Sequence, residues 1–524
     1  MPSLLLLVGP VLLALWAIHR IIRRSKRHSI DYLPGPSRKS WWVGNLPSFF
    51  RPKEFGEADL NFTKEYGTAI RTTTSFGRDV LFTSDPKAIQ YIMNTSGYNF
   101  PKPADRRVAL EMVTGRGLVW AEGAQHARQR KIMNPAFSFS ALRGFMPLFR
   151  GTARKAVTKM RRDFLANEEP QVVNVLTWLQ RTTLDAIGEA AFGYKFHAID
   201  QKEESVLAKA YDNLLPKSSM HRPDFSFIFE TFLGFLPSWL VKLGINVPIG
   251  RFKLLSNYMR VAEKVAQEII DKQTDLYLKG KEGSKDVMSL LVRANLSEDP
   301  RTKLSSKEII PQMTTLFLAG HDTTATTTAW FLYELAKYPE CQTRIREEIA
   351  AVKAAVAERG DTEPTIADLD GMEYTLAAMK ETLRFHGIVA NLSREATRDD
   401  VIPLQFPQKT KYNDTVTSIP VSKGQYIILS LFAYNRLTQV WGPDADKWKP
   451  ERFLSGSLKE SQKVNVGVIG NVMSFSSGLR SCVGWRFAVL EMQAILMELI
   501  ENFEFTLAPN VEIYPAFAGL MSPM

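Results

Sequence analysis

The stretch from Phe475 to Gly484, F-S-S-G-L-R-S-C-V-G, constrains this chain more than any other. One cysteine, Cys482, lies in a turn-rich loop, with Gly478 four residues before it and Gly484 two after. The apolar run W-R-F-A-V-L-E-M-Q-A-I-L follows at once and reads as a buried helix. A sulfur placed just before a helix start gains from the helix dipole and from free N–H groups, and both favour a thiolate. The glycines are expected to let backbone approach the sulfur without a Cβ in the way. Arg480 sets a cation two residues from the sulfur, able to reach an anionic group on whatever the sulfur binds. That arrangement suits a thiolate ligand to haem iron, with Arg480 on a haem carboxylate. The alternative is a buried structural cysteine, because free cysteine is commonly core.

The pattern F-x-x-G-x-R-x-C-x-G resembles the haem-binding signature of the cytochrome P-450 superfamily. Phe475, Gly478, Arg480, Cys482 and Gly484 match all its fixed positions. The resemblance implies haem b ligated axially by Cys482, and a mainly α fold with a small β portion.

Composition narrows the field independently. The chain has 524 residues, 45% of them hydrophobic, enough for one large domain with a sizeable core. Two cysteines, Cys341 and Cys482, exclude a disulfide framework. No C-x-x-C pair supports zinc or an iron–sulfur cluster. A net charge of +11 is modest for this length, and no long Lys/Arg block interrupts the body, so nucleic acid is not an expected partner.

The densest basic cluster, Arg20, Arg23, Arg24, Lys26 and Arg27, instead follows an apolar run from Ser3 to Ile18. That run is short for a span, and Ile21 and Ile22 extend it if Arg20 snorkels. Positive charge after the run, and no clear cleavage site, point to an uncleaved anchor with the body in the cytosol. L-P-G-P at Leu33–Pro36 then forms a stiff spacer. The expected division is a membrane signal-anchor helix over 1–22, a basic stop and Pro-rich hinge over 23–40, and a haem-binding body over 41–524. This layout resembles fungal microsomal members, which implies a single-pass protein of the endoplasmic reticulum membrane.

Along the body, Thr68–Phe76 and Val80–Thr83 read as paired strands, and Asp85-Pro86 opens a helix over Lys87–Met93. Residues 101–123 read as a loop-rich region, given Pro101, Pro103, Gly115, Gly117 and Gly123. G-R-G within them lacks a third glycine and a preceding strand, so it is no dinucleotide site. His126 and Arg130 lie at i and i+4 on one helix face, and the resemblance implies a role for both at a haem propionate. Phe145 to about Phe196 reads as helical, and His197 as polar surface. Asp224–Gly250 is unusually apolar and rich in Phe, with Trp239, but broken by Gly234 and Pro237, which suits an interfacial lid over an access channel or else core.

Ser305 to Tyr338 predicts a long central helix, opened by the capping box S-S-K-E. Its middle is A-G-H-D-T-T. Ala319, Gly320 and Thr323 are expected to share a face, with Thr323 bonded back to the Ala319 carbonyl. The result would be a small groove holding a hydroxyl, beside the carboxylate of Asp322. This resembles the family's oxygen-activation motif, which implies that Asp322 and Thr323 supply protons; a Thr-rich packing helix is the alternative. Glu381 and Arg384 form E-x-x-R, and the resemblance implies a buried network with Arg452 that supports the haem loop. Arg394 matches a position that offers a further cation to a propionate. Residues 387–393 would then border the substrate, and Pro515–Ser522 would turn into the pocket. A small β unit is expected over Asp399–Ser430.

The resemblance implies a monooxygenase acting on a lipophilic small molecule, first of all a terpenoid of secondary metabolism. With no reductase domain of its own, the chain needs an NADPH-dependent flavoprotein reductase, or a cytochrome b-type donor. An isomerase or dehydratase of peroxides and a haem carrier or gas sensor are the alternatives.

Overall fold

The structure is a computed structural model that describes residues 29–51, 54, 56–165, 171–200, 223–233, 250–279, 287–289, 291, 304–454, 464–517 and 520–524. The anchor expected over 1–22, and the basic cluster after it, lie outside these residues. Among the described residues no helix is long and apolar enough to cross a membrane.

The longer helices, in chain order, are α1 (Glu57–Tyr66), α2 (Ala104–Thr114), α3 (Gly123–Met133), α4 (Phe139–Phe164), α5 (Val175–Phe192), α6 (Asp224–Leu233), α7 (Gly250–Leu278), α8 (Ser306–Lys337), α9 (Pro339–Glu358), α10 (Glu373–Phe385) and α11 (Trp485–Asn502). The strands are β1 (Ala69–Thr73), β2 (Asp79–Thr83), β3 (Asn391–Glu395), β4 (Asp400–Lys409), β5 (Thr415–Val421), β6 (Tyr426–Ser430), β7 (Pro515–Phe517) and β8 (Met521–Pro523). The mainly α fold with a small β portion is therefore as expected.

The core is helical. α8 packs against α5, α7, α10 and α11, and α4 packs along α11. Phe145 and Phe149 of α4 meet Phe487 of α11 edge-on at 5.9 and 4.8 Å, and Phe192 of α5 meets Phe317 of α8 at 4.4 Å. Such aromatic pairs add about 0.5–1.5 kcal/mol each beyond the area they bury. The capping box starts α8 as expected, with Glu308 accepting from the Ser305 amide at 3.0 Å.

The main sheet has the order β1-β2-β6-β3. β1 and β2 pair antiparallel, Ala69 opposite Thr83, and β2 pairs parallel with β6, Val80 opposite Tyr426. Every residue of β2 and β6 is buried, so their interiors, V-L-F and I-I-L, are continuous apolar runs rather than alternations. Asp85 locks the sheet to its surroundings by accepting from the amides of Lys87, Ala88, Gln405 and Phe406.

Three expectations need correction. Residues 101–123 are not loop throughout: the punctuation residues sit at the edges, and the interior, free of Gly and Pro, forms α2, stopped by Gly115 at φ 68°. The helical stretch from Phe145 is two helices, α4 and α5; Gly193, which suits a helix stop by sequence, does end α5, in the left-handed conformation. The helix after Asp85 covers Pro86–Gln90 and then widens into a π-type turn over Tyr91–Thr95. Of the expected lid, α6 is described; residues 234–249 lie outside the described set.

Candidate active site

The cysteine loop is built against the π-type turn. Gly478 has φ +60°, and a Cβ there would meet Asn94 Oδ1 at 2.1 Å and Met93 O at 2.4 Å. Its glycine character thus serves the close seat on residues 93–94, not the approach to the sulfur expected above. The Cys482 amide closes the loop by donating to Phe475 O at 2.8 Å. Phe475 itself is half-buried between the two main apolar clusters. Gly484 is the N-cap of α11, and its amide reaches the sulfur. Burial pushes the Cys482 thiol up, while the Gly484 amide and the Arg130 charge favour the thiolate. Cys482 itself is an exposed residue. Cys341, by contrast, is buried and receives the Tyr374 hydroxyl at 3.0 Å.

Beside the loop is a cluster of buried cations. Lys102 Nζ lies 2.6 Å from Glu122, and Arg480 pairs with Glu122 while donating to Gly97 O at 2.8 Å. Among the described residues Arg394, on β3, donates only to the neighbouring Ser393 O, and its Nε and that of Arg480 have no partner. Burial and the nearby Arg480 lower Arg394 to about 10; burial lowers Lys102 to about 8. Burial, then Lys102 and Arg480, push His126 down to about 4, so it is neutral, with Nδ1 2.9 Å from the Tyr98 hydroxyl. One carboxylate thus faces three buried cations, with two guanidinium Nε groups left over. Such a cradle suits a dianion, and the two propionates of haem b fit it. Lys102, Tyr98 and Glu122 had no motif to mark them in the sequence. Arg130 does not join the cluster: it donates to Ser481 O, to Ser481 Oγ at 3.3 Å and to Asn134 Oδ1 at 3.1 Å. It grips the cysteine loop at Ser481.

On α8, Thr323 Oγ1 donates to Ala319 O at 2.7 Å. Ala319 is exposed and Thr323 half-buried on a stretch whose neighbours Phe317, His321 and Thr324 are buried. Asp322 is 4% exposed and accepts from Gln180 Nε2 of α5 at 2.8 Å. Gly320 has a packing reason of its own. A Cβ there would meet Ile187 of α5 at 2.7 Å, so the glycine admits the neighbouring helix. Glu491, nine residues past Cys482, is fully buried against Thr324 and brings the cysteine helix to the Thr323 turn.

The network of Glu381, Arg384 and Arg452 is present and buried. Arg384 donates to both Glu381 oxygens at 2.7 and 2.8 Å, and Arg452 Nε reaches Glu381 at 3.4 Å. Arg384 also holds Asn435 O, and the Asn435 side chain accepts from the Met473 amide at 2.9 Å. The network therefore ends two residues before Phe475. The tail hairpin β7–β8 docks on α8 through Trp330 Nε1 to Met521 O, 2.9 Å, and on residues 387–393 through the Met521 amide to Ile388 O, 3.0 Å.

The sequence profile of the cytochrome P450 family matches residues 34–523. Cytochrome P450 monooxygenase 205 of Postia placenta is 32% identical over 99% of this chain and 94% of that protein. A ganoderic acid synthetase of Ganoderma lucidum is 33% identical over 94% of this chain and 90% of its own length. Cytochrome P450 monooxygenase claQ of Ampulloclitocybe clavipes is 30% identical over 94% and 90%. The chain belongs to the cytochrome P450 family and is a monooxygenase, an oxidoreductase that carries haem b on a cysteine thiolate, takes electrons from a redox partner and acts on a lipophilic substrate.

Proposed function

We propose that Cys482 would supply the thiolate ligand to haem iron, that Arg394, Arg480 and Lys102 would take the haem carboxylates with the neutral His126–Tyr98 pair beside them, and that substrate would lie over Ala319 and Thr323. The observation that carries this reading is Cys482: an exposed residue at the N-terminus of α11, set beside a cradle with more cations than carboxylates among the described residues. Haem held there supplies reductive activation of O₂, and a thiolate ligand favours O–O cleavage. Arg130 and the Gly484 amide favour the thiolate against the burial that opposes it. Thr323, anchored on the Ala319 carbonyl, keeps its oxygen at the open face of α8. Asp322 passes protons toward that turn. Residues 387–393 and the tail hairpin wall the substrate side.

The electron donor in this reading is an NADPH-dependent flavoprotein reductase. The substrate is a lipophilic molecule of secondary metabolism, a terpenoid first of all; one relative is named a ganoderic acid synthetase. Residues 1–22 anchor the protein in the endoplasmic reticulum membrane, 23–40 form the hinge and 41–524 the catalytic body. An aromatic surface supports membrane contact: Phe225, 69% exposed, and Phe229 and Phe232 on α6, with Trp42, 58% exposed, nearby. Phe227 of α6 packs on Phe50, and both Trp41 and Trp42 lie against Phe76, whose short helix contacts α6.

The test is spectroscopic. Cys482→Ala is expected to abolish the thiolate band of the reduced carbon monoxide adduct, and Cys341→Ala to leave it. An essential Cys341 with a dispensable Cys482 overturns the assignment.

A further inference from the structure

Helices α5 and α8 are joined at three successive levels along one face of α5, at the spacing i, i+3, i+7. Gln180 Nε2 donates to Asp322 Oδ1 at 2.8 Å. Thr183 Oγ1 donates to the His321 carbonyl at 2.9 Å. Ile187 fills the notch left by Gly320. The backbone of residues 320–322 is thereby fixed from the α5 side, directly before Thr323. Asp322 itself makes no ion pair among the described residues, and Gln180 is the partner recorded for its carboxylate. Nearby titratable groups are engaged elsewhere. Arg181 lies over the Trp178 ring, Asp185 accepts from the amides of Ala198 and Ile199, His321 Nδ1 sits 3.2 Å from Phe317 O, and Glu491 lies against Thr324.

The chemistry of the donor matters. A buried acid that must take up and release a proton needs a fixed position, because proton transfer works only over hydrogen-bond distances. A Lys or Arg partner would fix it, but would also hold it as a carboxylate. An amide donor fixes one oxygen and never changes charge. A buried carboxylate with no donor at all would bear the full desolvation penalty.

We propose that Gln180 is a positioning residue for proton delivery, holding Asp322 by Oδ1 through an uncharged donor so that the acid stays in place and stays able to exchange its proton. The inference rests on reading Asp322 and Thr323 as the proton relay, and it assigns to α5 a residue that touches neither substrate nor haem.

The experiment uses the full-length enzyme reconstituted with its reductase and compares Gln180→Met, Asp322→Asn and the double variant. Gln180→Met keeps length and removes the donor; Gln180→Leu serves if it does not fold. Gln180→Met is expected to leave the carbon monoxide difference spectrum and the substrate-binding constant unchanged. Product per NADPH is expected to fall about fivefold, less than on removing the acid itself. The solvent deuterium isotope effect on product formation is expected to rise, since proton transfer becomes slower. In the Asp322→Asn background the Gln180 change should have no further effect. An equal loss in both backgrounds, or an unchanged isotope effect, makes Gln180 a packing residue and overturns the proposal. Full coupling in Asp322→Asn and Thr323→Ala removes the relay itself, and the role of Gln180 with it. Uncoupling in those two with a fully coupled Gln180→Met removes only the present inference.

Discussion

Replacing Gly478 by alanine tests how the cysteine loop is held. The residue has φ +60°, where a non-glycine residue is disfavoured by about 1–2 kcal/mol. The new Cβ would stand 2.1 Å from Asn94 Oδ1 and 2.4 Å from Met93 O. The Asn94 amide can turn away, losing the 3.0 Å hydrogen bond from Ser477 Oγ, worth about 1 kcal/mol. Met93 O is backbone within the Tyr91–Thr95 turn and has no such freedom, so the loop or the turn must shift, at about 1–3 kcal/mol for an overpacked contact. Together the effect is roughly 3–6 kcal/mol. With an unfolding entropy of about 2 cal/mol/K per residue, each kcal/mol lowers the melting point of a chain this long by about 1 °C. Gly484 is the internal control. It has φ −95°, and its nearest neighbour for a Cβ is Phe137 Cε1 at 3.5 Å, so alanine there should change stability by within about 1 kcal/mol. The assay is thermal unfolding together with haem content per protein. Gly478→Ala should melt about 3–6 °C lower and load haem poorly. If it melts and loads like the parent while Gly484→Ala does not, the roles given to the two glycines are reversed.

Thr323→Ala is expected to lower product per NADPH about tenfold and to release hydrogen peroxide, with substrate binding nearly unchanged, because only one hydroxyl and one methyl are lost; unchanged coupling would make α8 a packing helix at this turn. Glu491→Gln addresses a buried acid whose pKa burial holds well above the ordinary range. Below the ordinary carboxyl pKa, about 4.5, folded and unfolded states are both neutral; above it the unfolded chain ionises first, so the parent loses about 1.4 kcal/mol of stability per pH unit until the folded pKa is reached. The glutamine variant lacks that loss, so its stability advantage in denaturant titrations should widen from pH 5.5 to 7.5, and a constant gap would show that Glu491 ionises freely in the fold. Truncation of residues 1–30 should release the protein from vesicles only partly, and adding Phe225→Ser and Phe229→Ser should complete the release; full release by truncation alone argues against α6 as a membrane contact.

Where local signals agreed with one another, the chain could be read directly. Ser305 and Glu308 mark the start of α8, and V-L-F-T and Y-I-I-L-S mark β2 and β6. Glu381, Arg384 and Arg452 were findable because E-x-x-R and P-E-R-F each carry a recognisable pattern. Helix α2 was not, because prolines and glycines on both sides hid an interior of ordinary helix formers. The reasons for Gly320 and Gly478 lie in Ile187 and in residues 93–94, contacts across more than 100 residues that no local pattern encodes. Gln180, Lys102 and Glu122 escaped for the same reason: a single polar residue gains its meaning from what tertiary packing sets opposite it.

The parallel pairing of β2 with β6 sets a clock on biosynthesis. Val80 must wait for Tyr426 to leave the ribosome, and the Gly97 carbonyl waits still longer for Arg480. At about 5–20 residues per second the wait for β6 is roughly 17–70 s, during which β2, fully buried in the finished fold, lacks its central neighbour. Both halves of the cation cradle come together only when the last tenth of the chain emerges. Cofactor capture is therefore a step of the finished polypeptide, and nascent chains shorter than about 480 residues should emerge haem-free and depend on chaperones to keep β2 from pairing with another chain.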